Sequence, residues 1–166
     1  MHSETLLNIT QLAEHLGEAL LTEQASVSTA ESCTGGGIAE AITRIAGSSA
    51  WFEVGFVTYS NRQKTRVLRV AESDLQRDGA VSQSVVEAMA RGAQQLSDAQ
   101  YAVAVSGVAG PGGGSPGKPV GTVWIAWAHG AQVQSSCWHF AGDRQAVRQQ
   151  TVQAALAGLL CVVEGL

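Results

Sequence analysis

The stretch Val27-Ser28-Thr29-Ala30-Glu31-Ser32-Cys33-Thr34-Gly35-Gly36-Gly37-Ile38 decides how this chain is read. A short β-prone run enters it, and an apolar helical pattern, Ile38, Ala39, Ile42 and Ile45, leaves it. Between the two lie hydroxyls, a thiol and three consecutive glycines. This order sets a nucleophile and bare backbone N–H groups at the start of a helix, where the macrodipole favours negative charge. A developing oxyanion or a phosphate could both be stabilised there. A tight strand-to-helix turn that needs glycine only for its backbone angles would leave the same trace.

On the N-terminal side, Leu6, Ile9, Leu12, Leu16 and Leu20 recur at steps of three and four and predict a helix over 5–23. Residues 26–29 predict a strand, and 35–45 the helix that follows the glycines. Trp51 to Ser60 is rich in aromatic and β-branched residues and predicts a second strand, followed by a short helix over Asn61 to Leu68. Ser73-x-x-Gln76 and Ser84-x-x-Glu87 have the pattern of capping boxes. The second would open a helix to about Leu96, with Val85, Met89, Ala93 and Leu96 on one face. Tyr101 to Val105 is apolar throughout, as a strand covered on both faces would be. Val120 to Ala128 suits a second central strand, Gln132 to Phe140 an edge, and Asp143 the cap of a last helix with Val152, Leu156, Leu159 and Val163 inward. Together these predict one domain over 1–166, a three-layer α/β/α sandwich with a mixed sheet of about five strands.

The 166 residues suffice for a proper core. A net charge of −4 gives no support to nucleic-acid binding. Three cysteines, Cys33, Cys137 and Cys161, form no paired spacing and point to a reducing compartment. The longest apolar stretch, Ala154 to Val163, falls well short of the roughly 20 residues a bilayer span requires. No signal-peptide pattern opens the chain. A cytoplasmic protein that contacts no membrane is expected.

Of ten basic residues only Lys64 and Lys118 are lysine. Lys64 lies in Tyr59-Ser60-Asn61-Arg62-Gln63-Lys64, just past an apolar strand, where one helical turn could bring Tyr59, Asn61 and Lys64 to one rim. A lysine desolvated in a cleft loses its proton more readily and can take one from a serine; on a solvated surface it would do nothing of the kind. Ser106-Gly107-Val108-Ala109-Gly110-Pro111-Gly112-Gly113-Gly114-Ser115-Pro116-Gly117-Lys118-Pro119 leaves a buried strand where open α/β sheets bind ligands. It is neither a P-loop nor a dinucleotide fingerprint. Arg144 and Arg148 would stand at i and i+4 on the last helix, able to fork onto a phosphate or simply to face solvent. None of the four histidines sits in a motif, so Ser-Lys chemistry fits better than a Ser-His-Asp triad, and no spacing suggests a metal.

These stretches together resemble the C-terminal domain of the CinA family, whose stand-alone members are nicotinamide-nucleotide amidases. The matching residues are Ala30 to Gly36, Gly47-Ser48-Ser49, Tyr59-Ser60-Asn61 with Lys64, Gly79-Ala80-Val81-Ser82, Gly107 to Pro111 with Gly113-Gly114, Lys118 to Gly121, and Gly142-Asp143-Arg144 with Arg148. They span nearly the whole chain in the family's order. Ser106 stands where many members have Thr, and Val108 where Ile is usual. The resemblance implies hydrolysis of the carboxamide of nicotinamide mononucleotide, without cofactor or metal, in pyridine nucleotide recycling. It implies Ser32 as nucleophile, with Lys64, assisted by Tyr59, as base. The N–H groups of Thr34, Gly35 and Gly36 would hold the oxyanion. Ser49, Asn61, Ser106, Gly107 and Gly110 would line the nucleotide pocket, and Arg144 or Arg148 would meet the phosphate. A homo-oligomer is expected. Two other readings stay open: Cys33 as nucleophile, and a non-catalytic module that only binds a phosphorylated nucleotide.

Overall fold

The structure, a computed structural model, describes residues 6–166. Thr5, the first residue of the expected N-terminal helix, lies outside the described residues. Helices α1 (Ile9–Glu23) and α2 (Gly37–Thr43) flank strand β1 (Val27–Glu31), and a 3-10 turn at Ser48–Ala50 leads into β2 (Phe52–Val57). Helices α3 (Asn61–Leu68), α4 (Glu72–Asp78) and α5 (Gln83–Ser97) come next. Strands β3 (Tyr101–Gly107), β4 (Thr122–His129) and β5 (Gln132–His139) and helix α6 (Arg144–Glu164) complete the order. The sheet runs β2-β1-β3-β4-β5, parallel through β2, β1 and β3 and antiparallel from β3 to β5. This is the three-layer mixed sandwich the sequence predicts.

Alternation along the central strands builds two unlike cores. Tyr101, Val103 and Val105 of β3 and Val123, Ile125 and Trp127 of β4 pack with the apolar faces of α1, α2 and α6. Ala102, Ala104, Ala126 and Ala128 face the other way, against Ala90, Ala93 and Met89 of α5. The second face is built largely of alanine, so α5 lies close to the sheet. On the first face, the Trp127 indole N–H donates to the Ala155 carbonyl at 3.0 Å. The ring fills the space a Cβ on Gly158 would need, 2.3 Å from Cζ2.

Several expectations shift in detail. The helix after the glycines begins at Gly37, because Gly36 takes a φ of 106° that a helix cannot use. The strand expected to Ser60 ends at Val57, and Ser60 caps α3 through its hydroxyl. Ser73 lies inside α4, which has no side-chain cap, and α5 is capped by Ser82 rather than Ser84. The Ser84 hydroxyl is drawn instead to the Asp78 carboxylate at 2.6 Å. Leu96 and Leu6, both expected inward, are exposed, and Val120 lies outside β4. Asp143 caps α6 as expected, accepting from the Ala146 N–H at 2.9 Å. Among the described residues α6 alone has the length and apolar composition to suit a membrane. Its Val147, Val152, Leu156 and Leu159 are buried in the domain, as in a core helix.

The approach of α3 to α5 positions the site described next. A Cβ on Gly92 would lie 2.3 Å from the Leu68 carbonyl oxygen at the end of α3, so no larger residue fits without moving one helix. Gly92→Ala is expected to cost about 2 kcal/mol and to lower the melting temperature by about 4–8 °C. Calorimetry checks the first, and a parallel loss of Ser32 reactivity would report the displacement of α3.

Candidate active site

Ser32 follows β1 directly, and its N–H donates to the Val105 carbonyl of β3 at 3.1 Å. The chain leaves β1 through α2 toward β2, then crosses back to β3 on the other side of β1. Ser32 therefore sits at the carboxyl ends of two parallel strands where the topology reverses, the place where open α/β sheets form crevices.

Its hydroxyl meets Lys64. The Lys64 Nζ lies 2.9 Å from Ser32 Oγ, 2.9 Å from the Thr58 carbonyl oxygen and 3.3 Å from the Tyr59 carbonyl oxygen. Helix α3 carries the side chain inward, and Lys64 is 1 % exposed. No carboxylate pairs with it among the described residues. Burial therefore pulls its pKa down from 10.5 to about 8. The geometry fixes what a neutral amine must do here. Carbonyl oxygens only accept, so both remaining N–H bonds go to Thr58 and Tyr59, and the lone pair is left facing the one partner that can donate, the Ser32 hydroxyl.

Glu31, the last residue of β1, is wholly buried and takes the helix end that the sequence reserved for an incoming anion. Its carboxylate accepts from the N–H groups of Ile38 at 2.8 Å and Ala39 at 3.1 Å, and from the Thr34 hydroxyl at 2.5 Å. The positive end of α2 is thus filled from within the chain. What remains for a ligand lies earlier in the turn. The Gly35 N–H is committed to the Ser32 carbonyl at 3.0 Å, whereas those of Cys33, Thr34 and Gly36 meet no other residue's acceptor among the described residues. Sequence reasoning gave Glu31 no role. The available clue was a carboxylate on a buried strand seven residues ahead of a helix's first turn.

Cys33 faces the other way, within the core under α1, α2 and α6. Burial pushes its thiol up to about 11, so it carries no thiolate near neutrality.

The remaining expected residues divide. Arg144 donates to the Gly110 carbonyl at 2.8 Å and to the Tyr59 hydroxyl at 2.9 Å. Arg148 donates to the carbonyls of Cys33 and Thr34, each at 3.1 Å. Both arginines, the glycine-rich loop and the Ser32 turn therefore meet at one rim. Tyr59 offers the Lys64 amine only its carbonyl; the residue is 61 % exposed and its phenol hydroxyl meets Arg144. Ser106 and Gly107 end β3 beside Ser32, and Asn61 opens α3 at the exposed edge. Ser49 is not brought in. It lies in the turn before β2, whose first residue pairs with the first of β1, at the far end of the sheet from Ser32. Lys118 donates to the Asp78 carbonyl and ties the glycine-rich loop to the end of α4.

The depressed Lys64 pKa has a consequence for stability. Between about 8 and 10.5 the unfolded chain holds a proton that the folded chain has lost, so stability rises with pH across that window. Relative to Lys64→Met, the wild type is expected to gain as much as ~3 kcal/mol between pH 7 and pH 10.5. Urea titrations of both proteins at the two pH values measure it.

The CinA C-terminal domain profile matches residues 9–163. The chain is 68 % identical over 152 residues to the nicotinamide-nucleotide amidohydrolase PncC of Pseudomonas putida, covering 92 % of this chain and 95 % of that protein. The PncC of Escherichia coli K12 is 55 % identical, with coverage of 90 % and 91 %. Among solved structures, a CinA superfamily protein from Klebsiella pneumoniae superimposes with a TM-score of 0.93 at 38 % identity, covering 96 % of this chain and all of that one. A shared profile across nearly the whole length, and the same fold in a relative of this similarity, leave one conclusion: the chain belongs to the CinA C-terminal domain family.

Proposed function

We propose that the substrate of this amidohydrolase is nicotinamide mononucleotide, deamidated to nicotinic acid mononucleotide and ammonia, with Ser32 as nucleophile and Lys64 as its base. The observation that carries the mechanism is the 2.9 Å approach of a buried, depressed-pKa lysine to a serine hydroxyl. The names of the relatives 68 % and 55 % identical support the substrate.

As Ser32 Oγ bonds to the carboxamide carbon, its proton passes to Lys64. The carbonyl oxygen becomes an oxyanion and accepts from the free N–H groups of Thr34 and Gly36; each such donor is worth about 3 kcal/mol in the transition state. Collapse breaks the C–N bond while the Lys64 ammonium returns its proton to the departing nitrogen, releasing ammonia. A water molecule then gives a proton to Lys64, attacks the serine ester, and frees the acid as Ser32 regains its hydrogen. The Thr58 and Tyr59 carbonyls keep the amine aimed throughout, so Tyr59 assists through its backbone. Ser106, Gly107, Gly110 and Asn61 border the nucleotide, and Arg144, at the outer rim, meets its phosphate.

Ser32→Ala is expected to lower ammonia release by at least about 1,000-fold, and Cys33→Ala to leave it within about threefold. The wild-type kcat/KM should rise with pH as Lys64 loses its proton near 8, then level off. A coupled ammonia assay reads all three. Binding of the nucleotide without turnover would favour a nucleotide-binding module instead, and loss of activity in Cys33→Ala alone would move the nucleophile to the thiol.

A further inference from the structure

The turn that carries Ser32 is gripped from outside by a side chain that the proposed chemistry leaves unused. Arg148, on the second turn of α6, donates through Nε to the Cys33 carbonyl and through Nη2 to the Thr34 carbonyl. It lies directly against the glycines, since a Cβ on Gly35 would meet Nη2 at 3.5 Å. Arg144, one turn earlier, points elsewhere, to Gly110 and Tyr59. The two guanidiniums expected to fork together onto one phosphate diverge.

Across a trans peptide the N–H points opposite to the C=O, and the Cys33–Thr34 bond is trans. Holding the Cys33 carbonyl therefore aims the Thr34 N–H away from Arg148. Thr34 is 1 % exposed, yet its N–H meets no acceptor among the described residues. Spare donors in buried residues are rare and call for a partner. The Thr34 side chain cannot swing to change this, because Glu31 holds its hydroxyl.

We infer that Arg148 is a positioning residue, fixing the Cys33–Thr34 peptide so that the Thr34 N–H stays aimed at the oxyanion formed when Ser32 attacks. The inference rests on the amidase reading above and assigns Arg148 to turnover rather than to phosphate binding. A guanidinium clasps two carbonyls of one turn in a fixed fork, which a lysine ammonium cannot copy.

The test compares wild type, Arg148→Lys and Arg148→Ala on nicotinamide mononucleotide and on its dephosphorylated nucleoside. A positioning role lowers kcat about ten- to hundredfold on both substrates and leaves the nucleotide KM within about twofold. Added guanidinium ion restores kcat in Arg148→Ala. A phosphate anchor does the reverse, raising KM for the nucleotide alone, and that result overturns the inference. If Arg148→Ala melts too low to assay, Arg148→Lys carries the comparison. If the wild type releases no ammonia from either compound, the amidase reading fails by itself. The Arg148 role is then read from the labelling rate of Ser32 by a fluorophosphonate, whose oxygen needs the same donor. Slower labelling of Arg148→Lys supports the role; equal or absent labelling across all three proteins removes it.

Discussion

An amine held out of water between two main-chain carbonyls and one hydroxyl is the constraint around which this domain is arranged. A lysine on the surface would be protonated and useless as a base. Lys64 is brought inside by α3, and burial alone lowers its pKa, since no carboxylate stands beside it among the described residues to hold the proton. The cost falls on the fold, which must keep a polar group where an apolar one would pack. Leu68 and Val70, both wholly or almost wholly buried, anchor the end of α3 against α5, and the Val70 N–H returns to the Lys64 carbonyl at 3.2 Å.

Negative charge is managed by a separation of roles along one short turn. Glu31 neutralises the start of α2, which keeps that helix seated on the strand end. The donors left over, at Thr34 and Gly36, lie on the turn itself, and Arg148 and Glu31 hold it from two sides. The Ser32 hydroxyl and the unpaired N–H groups thus belong to one short piece of backbone, so their spacing does not depend on a separate loop.

The architecture was legible because its period-2 and helical patterns are long and agree with one another. The continuous apolar run of β3, the opposed faces of β4 and the Asp143 cap each have one physical reading. The meeting of Ser32 with Lys64 was legible because two rare features, a lysine in a lysine-poor chain and a serine beside three glycines, each follow a strand. Contacts that depend on distance in space were not. Nothing local distinguishes Ser82 from Ser84 as the cap of α5, because the choice is made by Asp78, which draws Ser84 away. Nor does an i, i+4 pair of arginines reveal that each will find a different carbonyl. Ser49 sits in a run of small residues, but only the parallel register of β1 and β2 shows that this run lies at the far end of the sheet from Ser32.

The two faces of the sheet differ in how much change each can absorb. Under α6 and α1 the core is made of leucine, isoleucine, valine and tryptophan, whose volumes can be traded among neighbours. Under α5 the sheet presents alanines to Ala90, Ala93 and Met89, with Gly92 against the backbone of α3, so less side-chain volume is left to trade. Sequence drift is therefore freer to reshape the first layer than the second, and the second is the one on which Lys64 is mounted.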